Sequence, residues 1–151
     1  MPTVVVGVDG SPAGARALRF AAEEARLRGA VLRVVHAWSM PLVDAAPDPF
    51  LIEFPGPTGP EVGELIDAAR EGADAVADRA VADALETAPG IEIERELVEG
   101  PAADALVECS EGATLLVVGS HGHGRLASAL LGSTSSRVIE HAPCPVVVVR
   151  G

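Results

Sequence analysis

Residues 3–38 read TVVVGVDGSPAGARALRFAAEEARLRGAVLRVVHAW. Thr3 to Val8 is a β-branched run interrupted only by Gly7, the pattern of a strand covered on both faces. Ser11 and Pro12 then signal a helix start: a capping hydroxyl followed by a residue pre-set for the first turn. Leu18, Ala21, Ala22 and Ala25 recur at helical spacing, with Arg16, Arg19 and Glu23 between them. Gly29 is a natural stop, and Val31 to Trp38 reads as a second strand. Strand, helix and strand in this order make a right-handed parallel crossover.

The rest of the chain repeats that alternation. Met40 to Pro60 carries Pro41, Pro47, Pro49, Pro55, Pro57 and Pro60, half of the 12 prolines, and cannot be one regular helix. Its apolar cluster from Phe50 to Phe54 suits a segment folded back over a pocket mouth, or an inert surface insertion. Glu61 to Thr87 predicts a long Ala-rich helix with Leu65, Ala69, Gly72, Val76 and Ala80 inward and Asp67, Arg70, Asp74 and Asp78 outward. Ile91 to Val98 alternates apolar with charged residues, as an edge strand does. A helix opens at Gly100-Pro101, carries Leu106 and Cys109 inward and ends near Gly112. Thr114 to Val118 is a fourth strand, Ser133 to His141 a short helix, and Val146 to Val149 a fifth strand. The whole predicts one α/β domain over residues 1–151, with residues 39–60 as a Pro-rich loop insertion. It is a Rossmann-like, doubly wound, five-stranded parallel sheet of order 3-2-1-4-5 with helices on both faces. The chain changes direction between strands 1 and 4, so a ligand crevice is expected at their C-terminal ends.

Composition narrows the ligand. The 151 residues are 48% hydrophobic and 22% charged, with 3% aromatic and a formal net charge of −11. Such acidity opposes binding to nucleic acid or to an anionic membrane surface. The chain has no lysine, which removes a Walker A site and Schiff-base chemistry. Cys109 and Cys144 have neither C-x-x-C nor metal-ligand spacing and read as buried reduced thiols. No stretch approaches the ~18 apolar residues of a membrane span, and the N-terminus has no basic n-region. A cytoplasmic location is expected.

The expected crevice is where the two Gly-rich turns fall: Gly7-Val8-Asp9-Gly10 after the first strand and Gly119-Ser120-His121-Gly122 after the fourth. The second continues through His123-Gly124-Arg125 to Gly132-Ser133-Thr134, where the last helix starts. Glycines permit close backbone approach to a ligand, and amides at a helix N-terminus bind anions. A phosphate can be held this way without lysine. The same glycines also serve as tight-turn formers, and Ser133 as an N-cap. His121 and His123 have no third metal ligand in view. No G-x-S-x-G elbow occurs, and nothing identifies a general base.

The spacing Gly119-x2-Gly122-x9-Gly132-Ser133 resembles the phosphate loop of the ATP-binding branch of the universal stress protein family. Asp9 after the first strand, His36-Ala37 at the end of the second and Ala142-Pro143-Cys144-Pro145 before the last resemble it too. The resemblance runs along essentially the whole chain. It implies that Asp9 and Ala37 contact the adenosine end of ATP and that Gly7 and Val118 wall the pocket. Gly119, Gly122, Gly132, Ser133 and Thr134 would hold the phosphates, with Arg125 neutralising charge and Mg possible with the nucleotide. It also implies a homodimer through Val146–Val149, and nucleotide binding in the stress response rather than efficient turnover. The rival expectations are an interaction module with an empty site, a slow ATPase or adenylyl-transfer enzyme and, further off, an electron-transfer flavoprotein.

Overall fold

A computed structural model describes residues 1–39, 60–122 and 131–151. Its elements follow the expected order: β1 (Thr3–Gly7), α1 (Pro12–Arg28), β2 (Val31–Trp38), α2 (Pro60–Thr87), β3 (Ile93–Glu99), α3 (Ala102–Cys109), β4 (Leu115–Gly119), α4 (Ser133–His141) and β5 (Val146–Val149). The strands form one parallel sheet, β3-β2-β1-β4-β5. The Pro-rich segment and Arg125 lie outside the described residues.

Local chemistry explains the boundaries of α1. The Ser11 hydroxyl accepts a hydrogen bond from the Gly14 amide at 3.1 Å, satisfying one first-turn donor. Gly29 closes the helix at φ 61°, a left-handed conformation costly for other residues, and its N–H returns to Ala25 and Arg26 carbonyls.

The sheet carries two apolar layers because successive side chains point to opposite faces. Val4, Val6, Leu32, Val34 and Val117 pack under α1 and α2. Val5, Val35, Leu116 and Val118 pack under α3 and α4, against Leu106 and Val138. Cys109 and Cys144 border this second layer as free, half-buried thiols rather than fully buried ones. Burial pushes both above the ordinary thiol range, which suits a packing role over nucleophilic chemistry.

The buried face of α2 agrees with the expected one at Ala80 and differs elsewhere. Ala73, Ala77, Ala80 and Ala84 form the inward stripe, continued past the helix by Ala88, whereas Leu65 is 40% exposed. An Ala-rich helix offers more than one apolar stripe, and the stripe with the larger side chains is not the buried one. Methyl groups alone let α2 lie close on α1, β2 and β3. Asp74 and Asp78, read as outward, have exposed side chains and pair with Arg95 of β3. Ala77 is fully buried. Ala77→Leu is therefore expected to cost about 1–3 kcal/mol of stability through overpacking. Leu65→Ala, on the exposed stripe, is expected to cost about 0.5 kcal/mol or less. Urea unfolding of both variants checks the assignment.

The two sheet edges differ in kind. The β3 edge is guarded by charge: Arg33 on neighbouring β2 bridges to Glu94 at 2.8 Å, and Arg95 is held by α2. The β5 edge carries only half-buried valines.

Candidate functional site

β1 and β4 are neighbours in the sheet, with Val6 beside Val117. Beyond their C-terminal ends the chain passes to α1 on one face and towards α4 on the other, which opens a crevice between the departing segments. A cleft of about 330 Å³ occupies that place, within the range of small-molecule sites. Gly7, Val8 and Asp9 line it from β1, and Val35 and Ala37 from β2. Val118 through Gly122 line it from β4 and the turn beyond, and Gly132 through Ser135 from the start of α4. Nine of the ten expected residues thus meet in one cavity; the tenth, Arg125, is outside the described residues.

Asp9 is fixed from one side. Its Oδ1 accepts hydrogen bonds from the Ser11 amide at 2.9 Å and from the Ser11 hydroxyl, which in turn caps α1. Its other carboxylate oxygen, Oδ2, occupies the space that a Cβ on Gly122 would fill. Asp9 therefore reaches across the crevice to the second Gly-rich turn, and Gly122 lacks a side chain where the carboxylate lies. Gly119 is similarly constrained, since a Cβ there would stand 3.0 Å from the Ala13 carbonyl oxygen.

The return of the chain to α4 is tied to the end of β4. The Gly132 amide donates to the Ser120 carbonyl at 2.6 Å. The buried Ser135 hydroxyl lies 3.1 Å from both the Ser120 and the Gly132 carbonyl oxygens. The N-cap of α4 is Gly132, which has no side chain to cap the first turn. The amides of that turn have no partner within the helix. With the hydroxyls of Ser133 and Thr134 they make an electropositive, donor-rich rim. Among the described lining residues there is no Lys or Arg, and Asp9 is the sole carboxylate. The rim can thus take an anion by dipoles and hydroxyls, while Val35, Ala37, Leu106 and Val118 supply apolar lining.

His121 lies in the cleft with its Nδ1 3.1 Å from the Ser120 hydroxyl. No group of three His, Cys, Asp or Glu side chains suited to a metal occurs among the described residues. Sequence reasoning missed Ala102 and Leu106 of α3. Parallel topology is the signal for Ala102, because every helix that follows a strand begins at the same rim. Leu106 had no such signal. It fills the space over Gly7, where a Cβ would lie 2.7 Å from its Cδ1.

The family model for the universal stress protein family matches residues 1–150. A universal stress protein of Mycobacterium tuberculosis (strain ATCC 25618 / H37Rv) is 39% identical over 147 residues, covering 97% of this chain and 45% of that protein. The chain spans about half the length of the curated relatives it matches. A crystal structure of a universal stress protein in complex with cAMP superposes with a TM-score of 0.70 at 30% identity, covering 99% of this chain and 96% of that one. The universal stress protein from Archaeoglobus fulgidus in complex with dAMP gives a TM-score of 0.63 at 31% identity, covering 99% and 97%. By the family model over residues 1–150 and by these relatives, the chain belongs to the universal stress protein family.

Proposed function

We propose that this chain binds an adenine nucleotide in the β1/β4 crevice, with ATP as the cellular ligand. Binding biases its conformation or choice of partner in the stress response. The observation that carries this reading is the convergence of Asp9, Gly122 and the side-chain-uncapped start of α4 in one cleft. The cAMP and dAMP complexes of similar proteins support the choice of adenine. Asp9 and the Ala37 backbone hold the adenosine end, and Gly7 and Val118 wall it. Gly119, Gly122, Gly132, Ser133 and Thr134 present amides and hydroxyls to the phosphates. Arg125 is assigned to the phosphate loop by its position in the sequence and adds a cation there. Mg²⁺ arrives with the nucleotide, since its phosphates are oxygen ligands suited to that ion.

The protein acts in the cytoplasm as a homodimer joined through β5. No helix among the described residues is long and apolar enough to cross a membrane. Calorimetric titration of nucleotide-free protein with Mg-ATP is expected to give one saturable site per chain, with AMP competing for it. No binding at millimolar ATP would favour an interaction module of the same fold with a vacant crevice.

A further inference from the structure

A second cavity, of about 470 Å³, opens between α1 and α2. Among the described lining residues, it shares Val8 alone with the β1/β4 crevice. Its floor includes the buried Val8, Leu18 and Ala80, and the charged residues among its described lining are Arg19, Arg79 and Asp83. Arg19 stands on α1 and Arg79 on α2, so two guanidinium groups from facing helices border one apolar hollow.

Five of the ten described arginines pair with carboxylates and five do not. Arg26, Arg28, Arg33, Arg95 and Arg137 all bridge to carboxylates. Among the described residues, Arg19 and Arg79 make no ion pair or hydrogen bond, even with Asp83 four residues along the same helix as Arg79. Among the described lining residues, two arginines and one aspartate give a net charge of +1. A guanidinium is well suited to a carboxylate because its donors match the two oxygens. We infer that the α1/α2 cavity is a second ligand site, taking a small carboxylate monoanion with an apolar body. The hydrocarbon lies on Val8, Leu18 and Ala80, and the carboxylate sits between Arg19 and Arg79. The site is independent of the nucleotide reading.

Decanoate below its micellar concentration is the probe. Titration of the full chain is expected to show one saturable site. The double variant Arg19→Gln/Arg79→Gln should weaken it about tenfold, and uncharged decanol should bind about tenfold less well than decanoate. Both arginines are exposed, so the variant keeps its fold, which circular dichroism verifies. Saturating Mg-ATP, which is assigned to the other cleft, should leave decanoate binding unchanged. Lack of a saturable decanoate site in the wild type would overturn the inference. So would affinity indifferent to the double substitution, or displacement of decanoate by ATP.

Discussion

Gly122→Val is expected to weaken ATP binding by about a hundredfold or more, roughly 2.7 kcal/mol, in a protein that stays folded. The position is exposed, and its φ is not among the positive glycine values, so valine meets no backbone prohibition there. The effect is steric and local. A Cβ at Gly122 falls on the Asp9 carboxylate. Either Asp9 must swing away from its Ser11 anchor, or the turn after β4 must retreat from the cleft. The first movement removes the contact assigned to adenosine, and the second withdraws amides assigned to phosphate. Gly63→Val is the control, since a Cβ at Gly63 meets nothing within 4 Å. Calorimetry with a parallel thermal melt reads both variants. Wild-type ATP affinity in folded Gly122→Val would place the nucleotide elsewhere.

The second large effect is expected at β5. Val147 and Val149 border the apolar layer under α1 and α2, and Val146 and Val148 the layer under α3 and α4. Among the described residues the strand pairs with β4 on one side only, which leaves one row of its backbone donors and acceptors facing outward. Such an edge invites another strand unless charge or proline blunts it. Here the flanks are apolar too. Phe20 and Leu27 on α1 are 38% and 67% exposed, and Ile139 on α4 is 49% exposed. Arg16, one turn before Phe20 on the same face of α1, lies against Gly151 beyond the end of β5. We therefore expect a two-fold dimer with antiparallel β5 strands, in which each edge satisfies the other. Val147→Asp or Val148→Asp should cost several kcal/mol when the carboxylate is buried without a partner, and should shift the protein to monomer. Both are needed because they point to opposite faces of the sheet. Light scattering reads the result. A wild-type monomer at tens of micromolar would refute the dimer, and a dimer indifferent to both substitutions would move the interface elsewhere.

Much of this architecture is legible in the sequence for identifiable reasons. Ser11-Pro12 and Gly29 mark the ends of α1 by cap chemistry that operates locally. The charge alternation after Ile91 predicts an edge strand because one face must be solvated, and β3 lies at the edge. Its first regular residue is Ile93 rather than Ile91, a difference of the kind common at element ends. The crevice follows from topology once the strand order is set. What escapes is what depends on close tertiary approach. The choice among alanine stripes on α2 was decided by how near α2 comes to α1 and the sheet. The overlap of a Gly122 side chain with Asp9 joins residues 113 positions apart. The seat of Leu106 over Gly7 joins residues 99 apart. Neither pair leaves a periodic trace in the sequence.

The most direct test of the account is to watch the backbone amides of the described crevice while ATP is added to isotope-labelled protein. The reading predicts saturable chemical-shift changes that are largest at the amides of Gly119, Gly122, Ser133 and Thr134. Residues of the β3 edge, such as Glu94 and Arg95, should stay unmoved. Amides of the crevice that stay still at millimolar ATP, or shifts centred on another part of the molecule, would contradict it.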